Sequence, residues 1–239
     1  MKSATHNGLT CTFSEKGHVY KVNGKRLTSG TTFIKKFFKP FDAVAVSEKI
    51  ADKRGTTPQA LRREWKQMGA QASRDGDAVH KYIEWLTTGR GTAPISINND
   101  RVHNLKKQAK RSVTKLYNAG IKIIDAEMII FSVGLGLAGQ IDCVAENRKN
   151  EIVLIDWKTN KDIKLENAWD QGLPPLEHLD DCNMNHYRLQ LSLYHYILQS
   201  EGYFPDAKDF KQVIVHLTED GVTLNRVPYM ETEINAMLI

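Results

Sequence analysis

Nowhere in this chain is there an apolar run of about 18 residues, the length a membrane-spanning helix needs. Its start, MKSATHNGLTCTF, has no apolar signal core. Cysteine is scarce: Cys11, Cys143 and Cys182 form no CxxC pair, and an odd number cannot complete a disulfide framework. A reducing setting is the simpler reading, so the expectation is a soluble cytoplasmic protein, one made by a virus inside its host included. There is no GxxxxGK[ST] loop, no nucleophile elbow and no Gly-rich dinucleotide fingerprint. An ATP-driven motor in the same chain is therefore excluded, and no nucleotide cofactor is expected. Low-complexity stretches, internal repeats and clear linkers are also missing, which argues against wholesale disorder.

What is present is 239 residues of ordinary globular composition, 41% hydrophobic and 26% charged. That length suits one domain with a sizeable core. The net charge of +5 suits an anionic partner. Its distribution says more: from Arg101 to Ile124 there is no Asp or Glu, but seven Lys or Arg.

Residues 9–28 read as a small β unit with an Asn23-Gly24 hairpin turn. A short helix then stops by Pro40, and 42–54 look helical. Thr57-Pro58 is a helix start, and helical pattern resumes through AVHKYIEWL to Gly89. After a loop at 90–99, Val102, Leu105, Ala109 and Leu116 share one face of a helix that Gly120 would cap. Three strands follow at about 121–132, 137–146 and 151–157, then a long loop over 159–184 and a helix over 186–201. Strands near 211–218 and 222–229 and a short helix end the chain. The fold expected is α/β: a central mixed β-sheet flanked by helices, with a helical N-terminal half. The whole of 1–239 reads as one domain, with 1–75 a hairpin and helical subregion and 76–239 the core.

A turn near Arg148-Lys149 folds the second and third strands into a hairpin. Asp142 then faces Ile155 or Asp156, depending on loop length. Asp156 and Lys158, two apart, point to one side of their strand. Two carboxylates gathered this way repel unless a cation joins them. Lys158 could do so, and a divalent metal would do it better; Asp oxygens are hard ligands suited to Mg²⁺ or Mn²⁺. Such an arrangement can polarise a phosphate and activate water.

The segments GQIDCV and VLIDWKT resemble the bipartite motif of the PD-(D/E)xK nuclease superfamily. Gln190 and Tyr194 in RLQLSLYHYIL, and His80 in GDAVHKYIEWL, resemble its RecB-type branch. That branch includes phage exonucleases, Cas4-like proteins and the mitochondrial genome maintenance exonuclease. The resemblance covers about residues 76–198. It implies a metal-dependent DNA nuclease with a restriction-endonuclease-like core, acting exonucleolytically on single-stranded DNA or DNA ends in replication, recombination or repair. It implies His80, Asp142 and Asp156 as metal ligands, with the Trp157 backbone carbonyl and Glu127 added to them. Lys158 would be the catalytic lysine, and Gln190 and Tyr194 would contact DNA or the lysine. Some relatives hold an iron–sulfur cluster on four cysteines; three at these positions imply none. Histidine among the ligands favours Mn²⁺ at least as strongly as Mg²⁺.

Each residue also has a plainer reading. A histidine on an apolar helix is most often structural, and Tyr194 could be core beside Leu191 and Leu198. His178, Asp180, Asp181 and His186 lack regular ligand spacing and read as structural. Ser29, Thr31 and Thr32 could touch phosphate or simply cap a helix. Lys107, Lys110, Arg111 and Lys115 could be a solvated face; without acids nearby, they are candidates to track a DNA backbone. A structure-selective endonuclease shares every one of these residues, and a non-catalytic DNA-binding protein would keep the fold alone. A protein partner in recombination or replication fits the resemblance.

Overall fold

The computed structural model describes residues 2–90 and 99–239; all but the two end residues of the loop expected at 90–99 lie outside the described residues. The chain opens on an antiparallel meander of β1 (Lys2–His6), β2 (Leu9–Ser14), β3 (Val19–Val22) and β4 (Lys25–Ser29). Asn7-Gly8 and Asn23-Gly24 each make the tight turn with both residues at positive φ, as a type I′ hairpin requires. The N-terminal half is thus helical only after residue 29. Strand β1 was not expected, because KSATH carries little apolar alternation.

Helices α1 (Gly30–Ile34), α2 (Ala43–Ile50), α3 (Pro58–Thr88) and α4 (Asp100–Asn118) follow. The segment expected to be helical over 42–54 divides into α2 and a 3₁₀ turn, Asp52–Arg54. Helix α3 starts where Thr57 Oγ1 accepts the Ala60 N–H and runs unbroken to Gly89, which turns out at φ +68°. Strands β5 (Lys122–Ser132), β6 (Leu137–Glu146) and β7 (Glu151–Lys158) precede α5 (Asn183–Ser200), β8 (Asp209–Leu217), β9 (Val222–Val227) and α6 (Glu231–Leu238).

The nine strands of the described residues form one mixed sheet. Strand β5 pairs with β6 along nearly its whole length. The other edge of β6 is shared: β4 pairs at Leu137 and Ala138, β7 at Cys143–Glu146. Residues 139–142 of that edge lie between the two partners, and the candidate site sits in this gap. On one face, α5 and α6 cover Ile141, Val144, Ile152 and Leu154. On the other, α3 and α4 cover Cys143, Ala145, Val153, Ile155 and Trp157. Trp157, fully buried, donates its indole N–H to Ser112 Oγ on α4 at 3.1 Å. The meander forms a third cluster against Ile129, Phe131 and Ala138.

One buried polar chain has a consequence for stability. The Met230 N–H donates to Ser192 Oγ, which donates to Gln212 Oε1. That leaves Gln212 Nε2 to donate to His195 Nδ1 at 3.1 Å, so the ring accepts and is neutral. Burial is the main cause of a His195 imidazole lowered to about 4; Asp209 and Lys211 act on it in opposite directions and more weakly. The unfolded ring titrates near ~6.5. Below that pH the unfolded chain takes up a proton that the folded chain refuses, so stability falls between about pH 6.5 and 4. The loss amounts to about 3 kcal/mol. Urea denaturation of His195→Gln at pH 7 and pH 4.5 should show a smaller acid loss than the wild type; an equal loss would show that His195 contributes nothing to it.

Candidate active site

The register of the sheet aligns three acids. Ala126 pairs with Cys143 and Met128 with Ile141, so Glu127 lies across from Asp142. Cys143 pairs with Ile155, and the same register carried one residue further sets Asp142 against Asp156. Of the two alternatives left open by the sequence, this is the second. The backbone parts here: Asp142 Oδ2 accepts the Trp157 N–H at 2.9 Å, in place of a main-chain partner. Glu127 sits at φ +55°, a conformation that costs a non-glycine residue energy and turns its strand locally.

Helix α3 delivers His80 to these strands. Its Nδ1 is 3.5 Å from Asp142 Oδ2 and 3.7 Å from Glu127 Oε1, and its Nε2 is 3.1 Å from the Trp157 carbonyl oxygen. One ligand atom from each of His80, Glu127 and Asp142 lies within 4.8 Å of the others. Imidazole plus two carboxylates is a donor set for Mn²⁺ or Mg²⁺, and the trio fits a single divalent ion. Asp156 stands apart from it: Lys158 Nζ lies 2.9 Å from its Oδ1 and 2.7 Å from its Oδ2. Both oxygens are within reach of the ammonium, but Oδ2 accepts no hydrogen bond of good geometry.

The electrostatics describe a site short of positive charge. Burial alone would push the His80 imidazole down; Asp142, then Glu127, outweigh it and hold the ring protonated well above its ordinary range. Burial would raise Asp142, but His80 and Lys158 pull its carboxyl below the usual value. For Asp156, burial wins over the attraction of Lys158, with the Asp142 charge adding to it, and the carboxyl is pushed up to about 6. Two neighbouring carboxylates of which one resists ionising are what a bound cation relieves.

Gln190 and Tyr194 come to the same place on α5, with Gln190 Nε2 donating to Tyr194 Oη at 3.4 Å. The Tyr194 ring rests against two glycines: a Cβ on Gly139 would meet Cε1 at 2.3 Å, and one on Gly30 would meet it at 2.8 Å. Lys107, Lys110, Arg111 and Lys115 are exposed on α4, whose buried face lies against the sheet. Ser29 caps α1, its Oγ accepting the Thr32 N–H, and His178 and His186 pair with Glu233 and Asp181.

Three contributors were not read from the sequence. Tyr187, one turn before Gln190, holds its ring 4.4 Å from Lys158 Nζ, a cation–π contact, while its hydroxyl donates to Asn160. Helical spacing from Gln190 could have found it. Lys2 of β1 lies 3.2 Å from Glu84 and 3.8 Å from Glu127, and with Phe13 and His18 it walls a cleft of about 220 Å³ that reaches His80. Long-range contacts of this kind leave no local signal.

The third is Arg101, the first residue of the acid-free segment. Its Nη2 donates to the Thr159 carbonyl at 2.6 Å, directly after Lys158, and its Nε is 3.5 Å from buried Asp75. Gln71 and Asn99 also donate to Asp75. Arg101 therefore anchors the end of β7 to α3. Arg101→Met should lower stability by about 1–3 kcal/mol, since it leaves buried Asp75 with only its two amide donors and no counter-ion, and the Thr159 carbonyl without the guanidinium. Thermal denaturation checks this; an unchanged midpoint would mean that the clamp is unimportant.

Residues 33–238 match the family model of the PD-(D/E)XK nuclease superfamily. The chain belongs to that superfamily. Membership implies a metal-dependent nuclease, and the nine-stranded mixed sheet flanked by helices is consistent with the superfamily's restriction-endonuclease-like fold. No curated protein matches the sequence. The crystal structure of SSO0001 is similar, with a TM-score of 0.39 and 16% identity over 88% of this chain and 71% of that one. The superfamily match begins after β4, so the meander that carries Lys2 and the cleft wall lies outside it.

Proposed function

We propose that this superfamily member is a DNA exonuclease of the RecB-type branch, acting on single-stranded DNA or DNA ends during replication, recombination or repair. The observation that carries the reading is the alignment of Glu127, Asp142 and Asp156 across β5, β6 and β7, with His80 above and Lys158 beside them. In this reading His80, Glu127 and Asp142 would hold a divalent ion, and Asp156 and the Trp157 carbonyl would be further oxygen donors. When bound, that ion supplies Lewis acidity toward a phosphate and lowers the pKa of water.

The chain's own residues do the rest. Lys158 Nζ places an ammonium where charge builds on the attacked phosphate, and Asp156 and the Tyr187 ring hold it there. Tyr194, steadied by Gln190, presents its hydroxyl to the strand. Lys107, Lys110, Arg111 and Lys115 meet phosphates farther along. A protein partner in recombination or replication would share the DNA, and the cytoplasm is the setting. Mn²⁺ should support turnover at least as well as Mg²⁺.

The test of the exonuclease reading is linear against circular single-stranded DNA. Degradation of the linear form alone is expected. Rapid cutting of the circle would replace the reading with an endonuclease one, and DNA binding without turnover would replace it with a non-catalytic one.

A further inference from the structure

The segment from Lys35 to Arg74, comprising the 3₁₀ turn Lys35–Phe37, α2, the second 3₁₀ turn and the first half of α3, differs from the rest of the molecule. It carries ten Lys or Arg against four Asp or Glu, a net +6 in a chain whose total is +5. Nine of those ten basic residues are exposed; Arg62 alone is partly covered, donating to Ser47 on α2 at 2.7 Å. Four apolar side chains stand among them. Phe41 is 70% exposed, Met68 61% and Val44 52%, and the Trp65 ring is half-buried with its centroid 5.8 Å from that of Phe41. These two rings meet edge to face rather than entering the core.

Helix α3 connects this patch to the site without a break. Trp65 and His80 are fifteen residues apart on it, about 22 Å along the axis and about 60° apart around it. A strand leaving the acids beside His80 in that direction would reach the Phe41–Trp65 pair roughly six stacked nucleotides later.

We propose that residues 35–74 form a holding surface for single-stranded nucleic acid, on which Phe41 and Trp65 stack unpaired bases while the surrounding lysines and arginines meet their phosphates. A polyanion with aromatic faces is what this chemistry fits: the positive charge answers the phosphates, and exposed rings among it answer the bases. An apolar protein partner would make use of the rings but not of the +6. The inference rests on the nuclease reading for where the strand leads, not for the binding itself.

The test is fluorescence polarisation of a labelled oligothymidylate with the full chain in EDTA, where no turnover intervenes. Phe41→Ala/Trp65→Ala should bind roughly 10- to 100-fold more weakly than the wild type, and Trp65→Phe should keep most of the affinity. Arg63→Gln/Lys66→Gln should reduce the slope of log affinity against log salt by roughly 1.4. Circular dichroism of every variant should match the wild type, since these side chains lie outside the core. Wild-type affinity in the double alanine variant overturns the proposal. So does an equal loss in Trp65→Phe, or unchanged affinity together with a change from dimer to monomer on gel filtration, which would make the patch a contact between two copies. With metal restored, the double alanine variant should degrade a long strand more slowly and a trinucleotide at the wild-type rate. A wild type that binds through this surface but cleaves neither substrate supports the holding surface and defeats the nuclease reading alone.

Discussion

Lys158→Met is expected to lower DNA cleavage by a factor on the order of 10²–10³ while DNA binding stays within severalfold of wild type. Among the described residues the lysine is the one cationic side chain paired with Asp156, and its ammonium stands beside the acids rather than on the exposed basic face of α4. Methionine keeps much of the bulk and removes the charge. The same change leaves Asp156, 3% exposed, without its counter-ion, and breaking such a buried pair costs about 3 kcal/mol. Loss of activity and loss of stability must therefore be separated. The double variant Asp156→Asn/Lys158→Met removes the orphaned carboxylate, so most of the stability should return and none of the cleavage. Cleavage by Lys158→Met within tenfold of wild type would remove the lysine from the chemistry.

Gly139→Ala is the second large effect, and its origin is steric. The added methyl would lie 2.3 Å from Tyr194 Cε1, 2.7 Å from Cζ and 2.9 Å from the hydroxyl oxygen. Gly30 touches the same ring edge, so the aromatic plane has little freedom to give way. The backbone of β6 must shift or the ring must leave, and Asp142 is three residues along that strand. We expect a stability loss of about 2–3 kcal/mol and a comparable setback in cleavage, on the order of tenfold to a hundredfold. Tyr194→Ala removes the obstacle. In a double-mutant cycle the second substitution should then cost much less stability in the Gly139→Ala background than alone. Additive costs would show that the glycine serves β6 for some other reason.

The same two residues illustrate what could be read from the chain. Asp142, Asp156 and Lys158 were legible because strand periodicity and an apolar β7 place them near one another whatever the tertiary detail. The helical faces of α4 and α5 were legible from their spacing, and Val102, Leu105, Ala109 and Leu116 are all buried. The split edge of β6 was not, because it depends on β4 arriving in parallel from more than a hundred residues earlier. Nor was the reason for Gly139, which is a ring on α5, or the task of Arg101, which reads as one more charge on a basic helix until Asp75 and Thr159 are placed around it. Local pattern carries local geometry; contacts between distant segments become visible only in the fold.

The acids and His80 are expected to make a metal-dependent nuclease. The most direct test is the release of acid-soluble nucleotides from linear DNA by wild type and Asp142→Ala, first in EDTA and then with Mn²⁺ restored. No release is expected in EDTA, release by the wild type once Mn²⁺ is returned, and none from Asp142→Ala in either condition although it still binds DNA. Release that survives EDTA, or that Asp142→Ala supports as well as the wild type, would contradict it.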